Sequence, residues 1–492
     1  KGGNSQEMND QYRTPYYSGL LAYIAKHRAS FHMPGHKRGR GVHPDFKAFL
    51  GENVFLLDLT EVQGVDYLHK PMGILREAMD LLADAYGAKE SFFLVNGSTV
   101  GNQAALMAVG GPGKKILIAR NSHRSVVGGL ILNGSIPVYL PVNVDPELGI
   151  TTSVSPETLR EYLEKNDVDA VFLTNPNYYG VSGNIRELVD IVHEHGLPIV
   201  VDEAHGAHFH FHQALPLSAV DAGADLVVQS THKTLSSMTQ SSWMHMNGDL
   251  VDVELLKAAL RTLQSSSPNY VLMASLDVAR MQMATEGTEL LSSALNVAQY
   301  LRTAINEIPG LQCFGRERVG KYGIFDVDLT KITITVLGLG LTGYKVEQLL
   351  NDELGVEVEL SDPNNILAFV TIGDDYDNAD KLIKAMSNLS ERYFGKLQPL
   401  ETAAVHTFPE LPEVVLTPRE AFFAEKKVVP FKEAVGAISA ESVVLYPPGI
   451  PIIAPGEKIT EESFEYVMKR KEEGAEVQGT ADPELEFIQI LK

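Results

Sequence analysis

Cysteine is almost missing from this 492-residue chain, where Cys313 stands alone. A single thiol excludes an internal disulfide framework and fits a reducing, cytoplasmic setting. No run of 18 apolar residues occurs and no charged-then-apolar leader opens the chain, so neither a membrane-spanning helix nor export is expected. Residues 1–7 precede Met8 and read as an added stretch outside the fold. Positive charge is in short supply too: 41 Lys and Arg against 63 Asp and Glu leave a formal net charge of −22. Nucleic acid and anionic membrane are poor partners for such a surface. A cationic small molecule would be drawn to it, although the same acidity also serves plain solubility. Repeats and low-complexity tracts are absent.

What remains is an ordinary globular composition, 44% hydrophobic and 21% charged, over a length that suits about two to four domains. Residues 1–75 read as an N-terminal arm, with a short amphipathic piece at Gly19–His27 and a loop through Pro34-Gly35-His36-Lys37. Further on, apolar strands alternate with helical spacing. Strands are expected at Ser91–Val95, Lys115–Ala119, Ile136–Leu140, Ala170–Leu173 and Ile199–Val201, with helices such as Ile74–Tyr86 and Thr99–Val109 among them. This alternation predicts an α/β domain over 76–329, built on a mostly parallel sheet with helices on both faces. A helix-rich span that includes Ser275–Ile308 leads to a small α/β domain at 330–395. A proline-rich C-terminal appendage is expected over 396–492.

Chemistry collects at the ends of the apolar runs, where ligands settle in an open α/β sheet. Leu226-Val227-Val228 leads into Ser230-Thr231-His232-Lys233, and Pro198-Ile199-Val200-Val201 ends in Asp202-Glu203-Ala204-His205-Gly206. A lysine at a strand end is a candidate for imine chemistry, and desolvation lowers its pKa, which favours the nucleophilic amine. A carboxylate at another strand end can hold a pyridinium nitrogen protonated and so make the ring an electron sink. Alone, that acid could equally cap a helix. Asn96-Gly97-Ser98-Thr99 lies between a strand and a helix and offers N–H groups, a helix dipole and two hydroxyls to a phosphate. The same residues could serve only as an N-cap. In Asn121-Ser122-His123-Arg124-Ser125 the imidazole could lie on a cofactor ring or cap the next helix. His208, His210 and His212 alternate with Phe, so strand spacing would bring them to one face. No fourth ligand accompanies them, and no metal site is expected. In this order the elements read as a pyridoxal 5′-phosphate (PLP) site.

With these motifs, and with Asp66-Tyr67-Leu68-His69 and Tyr446-Pro447-Pro448-Gly449, the chain resembles the Orn/Lys/Arg decarboxylase family of fold-type-I PLP enzymes. The likeness is greatest to its short bacterial biosynthetic arginine decarboxylases, since no wing domain precedes Pro34 as in the long inducible forms. The resemblance implies a seven-stranded sheet in the large domain, and it implies roles. Lys233 would carry the cofactor as an imine, and Asp202 would pair with the pyridine nitrogen. His123 would stack on the ring, with Ala204 and His205 beside it. His205 would lie near the phenolic oxygen, at a position where the long forms carry an aromatic residue. Gly97, Ser98, Thr99, Ser230 and His232 would bind the phosphate. A serine of Ser265-Ser266-Ser267, taken as Ser266, would reach the phosphate of a partner subunit, which makes a homodimer the smallest active unit. Lys233 or His232 would return the proton to Cα. The expected reaction is decarboxylation of a cationic amino acid, L-arginine to agmatine in polyamine biosynthesis, with lysine and ornithine as alternatives. Glu359, Asp362, Glu457 and Glu61 are the acids available to the substrate's distal cation.

An aminotransferase of the same fold is the nearest rival. By the same kind of resemblance it would clamp the substrate carboxylate with an arginine of the small domain, and residues 331–391 contain no arginine. A binding protein that kept the fold would have no use for Lys233 and its acid partner.

Overall fold

Seven strands form the principal sheet: β1 (Glu90–Leu94), β2 (Lys115–Ala119), β3 (Ile136–Leu140), β4 (Ala170–Thr174), β5 (Ile199–Asp202), β6 (Leu226–Gln229) and β7 (Ser242–Met246). The structure is a computed structural model that describes residues 10–402, 409–446 and 450–492. In space the strands run in the order β1-β7-β6-β5-β4-β2-β3. From β3 to β6 all pairings are parallel, whereas β7 is antiparallel to both of its neighbours. β1 therefore points the same way as the parallel set, and only β7 is reversed.

The strands are apolar runs because both faces are covered. β5 and β6 are buried at every position. Alternate side chains of β5 enter different layers. Ile199 and Val201 pack with α1 (Pro15–Ile24) and α2 (Ile74–Tyr86). Val200 packs with α3 (Gly97–Val109) and α4 (Arg124–Asn133). The piece expected as a helix at Gly19–His27 is thus helical over Pro15–Ile24 instead. Pro15 presets the first turn, and the buried carboxylate of Asp277 accepts the free N–H groups of Tyr16 and Tyr17 at 2.9 and 3.1 Å.

A 38-residue helix, α5 (Tyr270–Glu307), begins earlier than its apolar pattern suggests because Asn269 caps it. At 1.5 Å per residue it extends about 57 Å. Its first half adds Met273, Leu276 and Met283 to the main core, and its second half adds Ala294, Val297 and Leu301 to another. That second core lies under an antiparallel sheet of β8 (Gln312–Cys313), β9 (Lys331–Thr335), β10 (Leu360–Ser361) and β11 (Asn365–Phe369), ordered β8-β9-β11-β10. The C-terminal residues form a third body with its own apolar cluster. There β12 (Lys426–Pro430) pairs with β16 (Phe487–Leu491), and β13 (Val443–Tyr446) lies between β14 (Ile450–Ile453) and β15 (Glu476–Gln478). Among the described residues no helix is long and apolar enough to cross a membrane.

The chain leaves β2 for the edge strand β3 and then returns to the other side of β2 to form β4. The segments that follow β2 and β4 therefore diverge, and the crevice between them is where ligands bind in sheets of this type.

Candidate active site

A cavity of about 240 Å³ occupies that crevice, at the carboxyl ends of the strands. Ser98, His123, Asp202, Ala204, His205 and Lys233 all line it. Lys233 and Asp202, the two residues on which the sequence reading rests, thus face one space.

Asp202 ends β5 and is buried. Its Oδ1 accepts the N–H of Ala204 at 3.0 Å, and its Oδ2 accepts Nδ2 of Asn102 on α3 at 2.9 Å. Lys233 sits in a single helical turn just past β6. Burial pulls its amine below the ordinary lysine value, while the charges of Asp202 and Glu359 pull it back up. Its Nζ lies 3.2 Å from Nε2 of His205 and 5.6 Å from the ring centre of Tyr178. Desolvation holds this imidazole well below its usual pKa, aided by Lys233.

Ser98 is placed by the tight entry to α3. Gly97 takes φ +67°, a backbone state that favours glycine, and its N–H donates to the Gln240 carbonyl at 2.7 Å. Asn96 makes no side-chain cap, and the N–H groups of Ser98 and Thr99 find no acceptor among the described residues. Ser230 Oγ donates to Ser98 Oγ at 2.7 Å. His123 caps α4: its Nδ1 accepts the N–H of Ser125 at 3.2 Å, which leaves the hydrogen on Nε2. Burial pushes its pKa down to about 4 against the pull of Asp202. The capping and cavity-lining roles of this residue coexist.

Other expected residues lie behind or away from the cavity wall. Gly97, Thr99 and Ser230 flank Ser98. Nδ1 of His232 lies 2.9 Å from the carbonyl oxygen of Ser241, and its ring does not line the cavity. Ser265, Ser266 and Ser267 are exposed elsewhere, where Tyr67 donates to the Ser266 carbonyl at 3.1 Å. The histidine trio departs from the expected strand. Residues Phe209–Phe211 form a 3-10 turn, so His208, His210 and His212 fan out to Asp328, Asp221 and Ser292 at 2.8, 2.8 and 2.9 Å. Pro447, Pro448 and Gly449 lie outside the described residues.

Several lining residues escaped the sequence reading. Thr174 ends β4 and Pro176, Tyr178 and Tyr179 follow it, and the strand-end rule applied there would have found them. Ile450 and Gln478 come from the C-terminal body and carry no local signal. Nor does Asn102, which acts through Asp202.

Among the cavity-lining residues Asn121 Oδ1, Thr174 Oγ1 and His205 Nδ1 are buried without a protein partner among the described residues. Native structures rarely leave such atoms unsatisfied, so the cavity suits a polar occupant. An amine, a carboxylate and free N–H groups at a helix start are the donor set that PLP needs, and the residues fit it.

The profile described as Orn/Lys/Arg decarboxylase, major domain, matches residues 14–378, and the profile of that family's C-terminal domain matches residues 401–479. The chain belongs to the Orn/Lys/Arg decarboxylase family. It is an enzyme, a decarboxylase, and the aminotransferase and binding-protein alternatives fall away. An arginine decarboxylase of Bacillus subtilis is 42% identical to it, over 98% of this chain and 98% of its own length. A constitutive lysine decarboxylase of Escherichia coli is 25% identical, over 93% of this chain and 77% of its own. Among solved structures, the lysine decarboxylase of Francisella novicida superposes with a TM-score of 0.85 at 23% identity, covering 98% of this chain and 82% of that one. These likenesses agree with the fold expected, a fold-type-I α/β enzyme with a seven-stranded sheet.

Proposed function

We propose that the chain is a PLP-dependent decarboxylase that converts L-arginine to agmatine and CO₂, in the cytoplasm and as a step of polyamine biosynthesis. The observation that carries this reading is the shared cavity of Lys233 and Asp202. The arginine decarboxylases at 40–42% identity over nearly the whole chain support the substrate. When bound, PLP supplies the electron sink for the pair left behind as CO₂ departs.

Each residue then has a task. Asp202, held by Ala204 and Asn102, would keep the pyridine nitrogen protonated. Lys233 would hold the aldehyde carbon and afterwards deliver a proton to Cα, a task favoured by its lowered pKa. The α3 start, with Gly97, Ser98, Thr99 and the hydroxyl of Ser230, would bind the phosphate, with His232 behind it. His123 would lie on one ring face, and Nδ1 of His205, buried without a protein partner among the described residues, would meet a ring substituent.

The four acids separate by their partners. Glu457 is committed to Arg120, and Asp362 already accepts from Tyr179, Asn364 and Asn365. The charge of Glu61 acts on Tyr67 and Tyr270, residues that do not line the cavity. Glu359 accepts the hydroxyl of the cavity residue Tyr178 at 2.6 Å, and its charge is felt at Lys233. It is the best placed to meet a guanidinium.

A homodimer completes the reading, with Ser266 of the partner subunit at the phosphate. The N-terminal segment that contacts Ser265 and Ser266 also exposes Phe31, Phe49 and Met72, an apolar surface suited to burial between subunits. The test is CO₂ release from arginine, lysine and ornithine by the PLP-loaded protein and by Lys233→Ala. Arginine is expected to be turned over fastest and the variant to be inactive. Inactivity of the parent on all three amino acids would refute the function, and full activity of a diluted monomer would refute the shared site.

A further inference from the structure

We propose that Arg124 binds the α-carboxylate of the substrate and so decides which way round the substrate lies; this rests on the decarboxylase reading above. Arg124 is the first residue of α4, directly after His123, and it lines the cavity that holds Lys233 and Asp202. It is exposed to that space and makes no hydrogen bond or ion pair among the described residues. It is also the only arginine lining the cavity among the described residues. A cation at a helix start opposes the helix dipole, so its position there is not explained by helix stability. Arg124 follows His123 in the chain and shares the cavity wall with it, so the guanidinium opens on the same space as Lys233.

The small sheet supplies no arginine for a substrate carboxylate, since residues 331–391 contain none. Arg124 offers a replacement from the opposite direction, the loop after β2. A planar guanidinium can grip a carboxylate through two parallel hydrogen bonds and fix its orientation, which a lysine could not do as well. Glu359 supplies negative charge from behind the lining residue Tyr178, whose hydroxyl donates to it at 2.6 Å, and that charge is felt at Lys233. The cavity therefore has a free cation on the segment after β2 and an acid behind Tyr178 on the segment after β4. A basic amino acid fits it in one sense only, with carboxylate to Arg124 and side-chain cation to Glu359. The reverse placement would set like charges together at both ends. Because the product amine has lost its carboxylate, Arg124 also favours substrate over product.

The experiment measures equilibrium binding of two ligands to the PLP-loaded enzyme by calorimetry. Argininic acid keeps the carboxylate and the guanidinium but has no α-amine; butylguanidine keeps the guanidinium alone. The parent is expected to bind argininic acid on the order of 10- to 100-fold more tightly than butylguanidine. Arg124→Met should collapse that ratio to about 1 with butylguanidine binding unchanged, and Arg124→Lys should restore part of it. The KM for arginine should rise by a similar factor in Arg124→Met. A ratio near 1 in the parent, or one that survives in both variants, overturns the proposal. So does a loss of PLP affinity with the ratio intact, which would put Arg124 on the phosphate. Failure of the function itself shows separately, as a parent enzyme that releases no CO₂.

Discussion

Lys233 and Asp202 illustrate how environment makes chemistry out of ordinary side chains. The amine is desolvated, and the carboxylate is fixed by two donors, Asn102 Nδ2 and the N–H of Ala204. Asp202→Asn keeps the shape and removes the charge. It is expected to lower kcat on the order of 10²- to 10³-fold in a CO₂-release assay, with the circular dichroism spectrum unchanged. Both residues were legible in the sequence, Asp202 because it ends a fully apolar run and Lys233 because Ser-Thr-His-Lys follows one. A different signature marks Lys331, whose near-complete burial lowers its pKa to about 8 from an ordinary 10.5. Between those two values the unfolded chain binds more protons than the folded one, so this group's contribution to stability rises with pH across the window. Below about pH 8 it weighs against the fold. Lys331→Met should therefore unfold at a higher denaturant midpoint than the parent at pH 7, and the difference should shrink towards pH 10.5. A difference that stays constant over that range would contradict the assignment.

Among helices and strands, close approach does the positioning. A Cβ added to Gly101 on α3 would come within 2.5 Å of Val228 Cγ1 and 2.9 Å of Leu94 Cδ1. The helix lies this near the sheet because residue 101 has no side chain, and the nearness sets the height of Ser98 at the cavity. Gly101→Ala is expected to lower stability by about 1–3 kcal/mol. It should also weaken PLP binding, as read by equilibrium titration, because displacing the helix moves its phosphate-facing start. β2 and β3 begin and end where their apolar runs do, and α2 spans the expected Ile74–Tyr86. Elements went astray where a distant residue decided them. Asp277 anchors the start of α1, and the partners of His208, His210 and His212 turn an alternating stretch into a single helical turn.

As one assembled body, the molecule closes its cavity with parts remote in sequence. Arg120, three residues before His123, is buried against Glu457 of the C-terminal body through two contacts of 2.5 and 2.9 Å, and it also donates to the Ile452 carbonyl at 2.7 Å. This clasp holds the segment that begins at Ile450 against the large sheet. Removing either partner alone, as Arg120→Met or Glu457→Gln, leaves a buried group uncompensated and should cost about 3–5 kcal/mol. The double variant should cost less than the sum, measured as a double-mutant cycle of denaturant midpoints. Simple additivity would mean that the two groups do not act on each other.

The order of amino acids by itself determined the parallel strands of the scaffold and the identity of the amine, the acid and the helix start, while the reversed strand β7 carried no such signal. Strands covered on both faces have to be apolar runs, and polar function has to begin where they end. Tertiary structure alone decided which loops converge: Tyr178 from β4, Arg124 from β2, Ile450 and Gln478 from the far end of the chain. Contacts between residues hundreds of positions apart arise from how layers pack, and no local pattern records them.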